Sequence, residues 1–134
     1  MSLKSYINNT ADAVYSQYVR IKEADINGYC TCVTCGKIGK WNDDMDAGHY
    51  VERDRWATRF NDSNVHPQCA SCNRFKGGRK AQYTLYLTNR YKRGIIEKLV
   101  RESQKVKTFT LDELKLWVKE WREEILKMKI TKNI

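Results

Sequence analysis

The sequence predicts an α+β chain, mostly helical, with a zinc-stapled middle held between N-terminal and C-terminal helices. Three features carry that prediction. Residues 5–23 show an apolar stripe at helical spacing, residues 29–80 lose that spacing and hold all five cysteines and both histidines, and helical spacing then returns toward the C-terminus. A length of 134 residues suits a single domain with a modest core, read here as an N-terminal helix (1–28), a metal-ordered core (29–80) and a helical C-terminal part (81–134).

In the first segment Ile7, Ala11, Val14, Tyr15, Tyr18 and Ile21 recur at three- and four-residue steps, which makes one face of a helix apolar. Asn27-Gly28 ends the pattern with a turn dipeptide. The middle also holds the one proline, Pro67, and most of the glycines. So long an irregular stretch needs an ordering agent other than a large core, and a metal supplies one. Past Gly77-Gly78, the residues Tyr83, Tyr86, Leu87 and Tyr91 mark a short helix, and Ile95, Ile96, Leu99 and Val100 a second. Thr110 and Glu113 have the spacing of a capping box for the last helix. Its Leu111, Leu114, Val118, Trp121, Ile125 and Met128 share one face, which belongs to the core or to a dimer interface. No internal repeat or low-complexity tract interrupts this order.

Hydrophobic residues make up 41% of the chain and charged residues 31%, a balance of folded soluble proteins rather than disordered ones. No run approaches the roughly 18 apolar residues of a membrane span, and the opening Met-Ser-Leu-Lys-Ser-Tyr6 has no apolar secretory core, so a cytoplasmic location is expected. The net charge of +9 is unevenly placed: residues 1–52 carry 5 basic and 7 acidic groups, residues 53–101 carry 12 and 3, and residues 102–134 carry 8 and 6. The middle third therefore holds the whole surplus, the footprint of a polyanion binder, although a solubilising surface would look the same by charge alone.

An odd number of cysteines in a reducing compartment argues against a closed disulfide set and for metal binding. Cys32-Val-Thr-Cys35 and Cys69-Ala-Ser-Cys72 are two C-x-x-C knuckles that flank residues 36–68. Together they offer four thiolates to one Zn²⁺, at Zn–S distances of about 2.3 Å. Cys30 is the spare sulfur, and a Cys30/Cys35 pairing has poorer spacing. A site closed by four sulfurs is structural, so catalysis would fall to other residues.

Between and beside the knuckles run Asp46-Ala-Gly-His49-Tyr50, Arg59-Phe-Asn-Asp-Ser-Asn64-Val-His66 and Gln68-Cys69-Ala-Ser-Cys72-Asn73-Arg74-Phe-Lys76. The order of cysteine knuckle, histidine, asparagine, second knuckle and following asparagine resembles HNH nucleases in which asparagine holds the last place. The match is closer still to the phage recombination-nuclease family of lambda Rap (NinG), and it extends from Leu3-Lys-Ser-Tyr6 into the helical tail. The resemblance implies a ββα-metal (HNH) core and a metal-dependent DNA endonuclease that hydrolyses phosphodiester bonds of branched recombination intermediates such as Holliday junctions and D-loops. It also implies a phage or prophage origin and a bacterial host cytoplasm.

The chemistry fits those residues. Hydrolysis needs a base near neutral pH, and histidine, with an ordinary pKa of about 6.5, suits it; His49 matches the family's general base. A hard cation, Mg²⁺ or Mn²⁺, needs few protein oxygens. Asn73 matches the family's metal-binding asparagine. Many relatives place an acid directly before the histidine, where this chain has Gly48, so Asp46 is the substitute carboxylate, in an Asp-x-x-His arrangement similar to that of the junction-cutting endonuclease VII of phage T4. Asn64 matches the middle asparagine that holds the loop bearing the base. His66 belongs to the Rap-like pattern, with a phosphate or metal contact and a hydrogen-bonded structural place as its two readings.

Arg53, Arg55, Arg59, Arg74, Lys76, Arg79 and Lys80 surround these residues in sequence and supply a DNA surface that touches phosphates without reading bases. The alternative is a zinc-ribbon module that binds nucleic acid or protein without catalysis, which needs the cysteines and the charge but not Asp46, His49 or Asn73. Cutting of two opposed strands would favour a homodimer, for which Trp117 and Trp121 are candidate contacts. No membrane partner is expected.

Overall fold

The computed structural model describes residues 1–106 and 109–134. It opens on a run of helix: α1 (Leu3–Tyr6), a π-helical stretch (Ile7–Ala11) and α2 (Asp12–Glu23). Ser2 caps the start by accepting from the Ser5 N–H at 3.1 Å. The predicted stripe is buried at Ile7, Ala11, Tyr15 and Ile21, and Val19 joins them. Lys132, from the other end of the chain, donates to the carbonyls of Ile21, Lys22 and Ala24 at 2.8, 2.9 and 2.7 Å. One ammonium thus meets the carbonyls at the end of α2, of which Ile21 also accepts the Ala24 N–H at 3.2 Å.

The middle folds as two antiparallel hairpins, β1 (Tyr29–Thr31) with β2 (Ile38–Lys40) and β3 (Met45–His49) with β4 (Val65–Cys69). The short helix α3 (Trp56–Arg59) lies between β3 and β4, and a π-helical turn (Ser71–Phe75) follows β4. Strands of three to five residues are too short to declare themselves by alternation, and every residue of β4 is buried, which erases the alternation altogether. On one side of the β3–β4 hairpin, Ala47 and Val65 pack with Tyr15 and Val19 of α2. On the other, Tyr83 donates to the Gly48 carbonyl at 2.7 Å.

The remaining helices are α4 (Lys80–Tyr91), α5 (Ile95–Ser103) and α6 (Leu111–Lys132). The predicted capping box is formed: the Glu113 N–H donates to Thr110 Oγ1 at 3.1 Å, and the Thr110 N–H donates to Glu113 at 3.2 Å. Leu114, Val118 and Ile125 are buried along α6, which packs on α2 and closes a cluster with Ile7, Ala11 and Phe109. Trp117 and Trp121 are not spare apolar surface. Trp121 packs 4.8 Å from Tyr15 and 5.3 Å from Phe60, and Trp117 lies 5.2 Å from Phe109, so both rings are used by the core. Both rings are half-buried and pack against the core clusters. Among the described residues, no helix is long and apolar enough to cross a membrane.

Candidate functional site

Cys32 and Cys35 occupy the loop after β1, Cys69 ends β4 and Cys72 sits in the π-helical turn, so the two knuckles come from opposite ends of the middle segment. Their four sulfurs all lie within 4.8 Å of one another, and Cys35 Sγ is 3.8 Å from Cys69 Sγ. Sulfurs at the corners of a tetrahedron with metal–sulfur bonds of about 2.3 Å are about 3.8 Å apart. The set can hold a zinc ion. Gly36, at φ +82°, makes the first knuckle's turn, its N–H donating to the Cys32 carbonyl at 2.9 Å. Cys30 stands apart: it is buried, its thiol donates to the Arg20 carbonyl at 3.2 Å, and burial pushes that thiol up to about 11.

A cleft of about 600 Å³ runs between α2 and β3, lined by Asp12, Tyr15 and Ser16 on one wall and Asp46, Ala47 and His49 on the other. Glu52, Arg53, Asn73 and Arg74 complete it. Asn73 Nδ2 donates to Asp46 Oδ2 at 3.0 Å. Arg74 donates twice into the same carboxylate, at 2.8 and 2.7 Å. Burial alone would raise the Asp46 carboxyl, but the hydrogen bonds from Arg74 and Asn73 outweigh it and hold the group below its ordinary value. A metal held by the four sulfurs would fix the backbone from which Asn73 projects, because Cys72 is the residue directly before it.

His49 Nε2 lies 2.9 Å from the Arg59 carbonyl oxygen. A carbonyl only accepts, so Nε2 carries the proton and Nδ1 keeps its lone pair. Burial pushes the imidazole down to about 4 against the opposing pull of the Arg59 carbonyl, so the ring is neutral at pH 7. The loop that follows is tied by Asn64, which is fully buried. Asn64 accepts from the Val51 N–H at 2.8 Å and donates to the Val51 and Thr58 carbonyls, each at 3.1 Å. Its side chain braces the loop after His49 and faces no cleft.

His66 is brought to neither the cleft nor the zinc set. Strand alternation turns Val65 toward α2 and His66 toward α4. There Nδ1 meets the Tyr83 hydroxyl at 3.1 Å and Nε2 the Tyr91 hydroxyl at 2.8 Å. The catalytic reading of His66 is thereby replaced by the hydrogen-bonded structural one, and burial pushes this imidazole down to about 3.

Arg59 is also corrected. It is only 6% exposed, and its guanidinium pairs with Asp12, with Nε at 2.9 Å, and donates to Asn8 and to the Arg53 carbonyl at 3.1 Å each. A charge so enclosed has nothing to offer a phosphate; it positions the carbonyl that holds His49. Arg53, Arg55, Arg74 and Lys76 are exposed. Arg79 is half-buried, and Lys80 lies 4.7 Å over the Tyr50 ring and 3.8 Å from Glu52. Sequence reasoning missed Asp12, because an acid in the first turn of a helix reads as dipole compensation. It also missed Tyr83, which reads as core.

The profile of the family described as Bacteriophage Lambda NinG protein matches residues 1–131. The chain is 26% identical over 125 residues to the protein ninG of Escherichia phage lambda, a match covering 91% of this chain and 57% of that protein. It is 31% identical over 90 residues to the protein ninG of Escherichia phage 933W, covering 65% of this chain and 41% of that protein. It is 26% identical over 125 residues to the protein ninG of Salmonella phage P22, with 91% and 57% covered. The chain thus spans about half the length of the curated relatives it matches. No solved structure matches it. Because the family profile runs through both cysteine knuckles, the cleft and nearly all of α6, the chain belongs to the NinG family of bacteriophage lambda.

Proposed function

We propose that this chain is a metal-dependent DNA endonuclease of the HNH type, with His49 as its general base. The observation that carries the reading is the convergence of His49, Asp46 and Asn73 on one cleft, where the Asp46 carboxylate and the Asn73 amide are 3.0 Å apart. Two paired strands, β3 and β4 with the short α3 in their connection, followed by a helical turn are compatible with the ββα-metal arrangement that this reading needs. A carboxylate and an amide oxygen are hard donors, suited to Mg²⁺ or Mn²⁺ and unlike the four sulfurs nearby, so ligand softness alone would sort two metals between the two sites.

Held by Asp46 and Asn73, such a cation would supply stabilisation for charge developing on the phosphate and the leaving oxygen. His49 takes a proton from the attacking water at Nδ1, because its Nε2 proton is committed to the Arg59 carbonyl. Exposed Arg53, Arg55 and Lys76 contact phosphates near the cleft, without base readout. The substrate in this reading is branched DNA in a bacterial cytoplasm, as the family resemblance implies.

Purified protein assayed on four-way, flap and linear DNA should cut in Mg²⁺ or Mn²⁺ and stop cutting when EDTA is added. Binding without cleavage in any divalent metal would favour a non-catalytic zinc-ribbon module instead.

A further inference from the structure

Phe75 ends the π-helical turn whose Asn73 and Arg74 line the cleft, and it is 81% exposed. Among the described residues the next most exposed aromatic, Tyr29, is 41% exposed. A phenyl ring left in water contributes little to folding, so its place needs another account. The turn that presents it is firmly anchored. Cys72 belongs to the sulfur set, the Gly78 N–H donates to the Cys72 carbonyl at 3.0 Å, and the Arg79 N–H donates to the Lys76 carbonyl at 3.2 Å. Gly77, Gly78 and Arg79 take φ values of +63°, +78° and +46°, which turn the chain sharply after Phe75. A Cβ on Gly77 or Gly78 would meet nothing within 4 Å, and Gly77 is exposed while the Gly78 carbonyl accepts from Gln68 at 2.9 Å.

The electrostatic setting is cationic on balance. Arg74, Lys76, Arg79 and Lys80 flank Phe75 in a stretch with no acidic residue between Asp62 and Glu97, and although Arg74 pairs with Asp46 and Lys80 lies 3.8 Å from Glu52, Lys76 beside the ring is exposed. A single ring in a cationic field, beside a cleft suited to a phosphodiester, fits a polyanion that carries flat apolar faces. Nucleic acid is that partner. In an intact duplex the base faces are covered by their neighbours, so the ring finds a face only where a base is unpaired or unstacked.

We infer that Phe75 is a stacking platform for an unpaired nucleobase, and that it selects DNA with exposed base faces over intact duplex. Stacking on an aromatic ring tolerates any base, because every base has a π-face. Preference for DNA shape without preference for sequence follows directly. The inference rests on the nucleic-acid part of the function proposed above and not on its catalytic part.

The test is binding without added divalent metal, so that nothing is cut. The probes are a short duplex with one bulged 2-aminopurine and its fully paired counterpart. The wild-type protein should bind the bulged duplex more tightly by roughly tenfold and quench the 2-aminopurine, in keeping with the worth of one stacked base. Phe75→Ala should retain zinc and melting temperature, bind paired duplex as before with the same salt dependence, and lose both the preference and the quenching. Phe75→Trp should keep them.

An unchanged preference in Phe75→Ala, or equal binding of both duplexes by the wild type, would overturn the assignment. So would a loss in Phe75→Ala confined to binding of phosphatidylglycerol vesicles, which would make the ring a membrane contact. Cleavage assayed separately in Mg²⁺ distinguishes the two ideas: a chain with Phe75-dependent binding and no cleavage sinks only the nuclease reading. A chain that cuts but shows no Phe75-dependent preference sinks only this one.

Discussion

His49 is half-buried and His66 fully buried, both rings are neutral, and the difference that matters is how many ring nitrogens are already bonded. Both nitrogens of His66 face tyrosine hydroxyls, whereas His49 spends one on the Arg59 carbonyl and keeps Nδ1 in reserve. Replacing His49 with alanine should leave DNA binding and its steep salt dependence intact. Single-turnover cleavage should fall by roughly 10²-fold or more. Wild-type rates in that variant would place the base elsewhere. Asp46→Ala and Asn73→Ala should instead shift the Mg²⁺ dependence to higher concentration, with Mn²⁺ restoring part of the rate, as expected of lost ligands. His66 has a separate consequence for stability. Its folded value, pushed down to about 3, lies below the value of about 6.5 it regains on unfolding, so below 6.5 the unfolded chain takes up a proton that the folded chain refuses. Stability is fully present above pH 6.5 and declines on acidification, by roughly 2 kcal/mol between pH 7 and pH 5 for this group. Urea unfolding of wild type and His66→Gln at both pH values should show the variant losing less by about that amount, and equal losses would mean that His66 takes up no extra proton on unfolding.

At the scale of elements, the β3–β4 hairpin brings the site together, and Gly48 is its tightest point. A Cβ there would lie 1.9 Å from Gln68 Oε1 and 2.7 Å from its Cδ. Gln68 cannot step aside cheaply, being fully buried and bonded through Nε2 to Thr34 Oγ1 at 3.1 Å and to the Gly78 carbonyl at 2.9 Å. A side chain at the position before His49 would therefore collide with Gln68, and the nearest acid preceding it, Asp46, lies in the cleft. Gly48→Ala should destabilise the protein by about 1–3 kcal/mol, as overpacking does. Gly48→Ala combined with Gln68→Ala should recover part of that loss relative to the sum of the single variants, and strict additivity in chemical denaturation would show that the two side chains do not meet. The helices were largely legible in advance because a 3.6-residue stripe and a capping box are local signals. The strands were not, since burial on both faces removes their alternation.

For the whole molecule, the sulfur set and the α2–α6 pair divide the work of a small core. The helices bury most of the apolar side chains, and the sulfurs join the two ends of the middle segment, placing Asn73 against Asp46. Elemental analysis should find one zinc per chain. Cys72→Ser should lose that metal, the order of both hairpins and all cleavage, although every residue proposed for the chemistry is intact. Structural zinc contributes on the order of 10 kcal/mol to folding in small peptides, so a zinc-free protein with native circular dichroism would refute the structural role. The sequence by itself determined the helical stripes, the capping box and the four cysteines that come together with Cys30 left out, because each of these rests on spacing along the chain. Only the tertiary structure decided that Arg59 faces Asp12 and that His66 faces two tyrosines. It also decided that Trp117 and Trp121 pack half-buried against the core and that Phe75 stands in solvent. Burial and pairing depend on which residues distant in sequence arrive at the same place, and no local pattern records that.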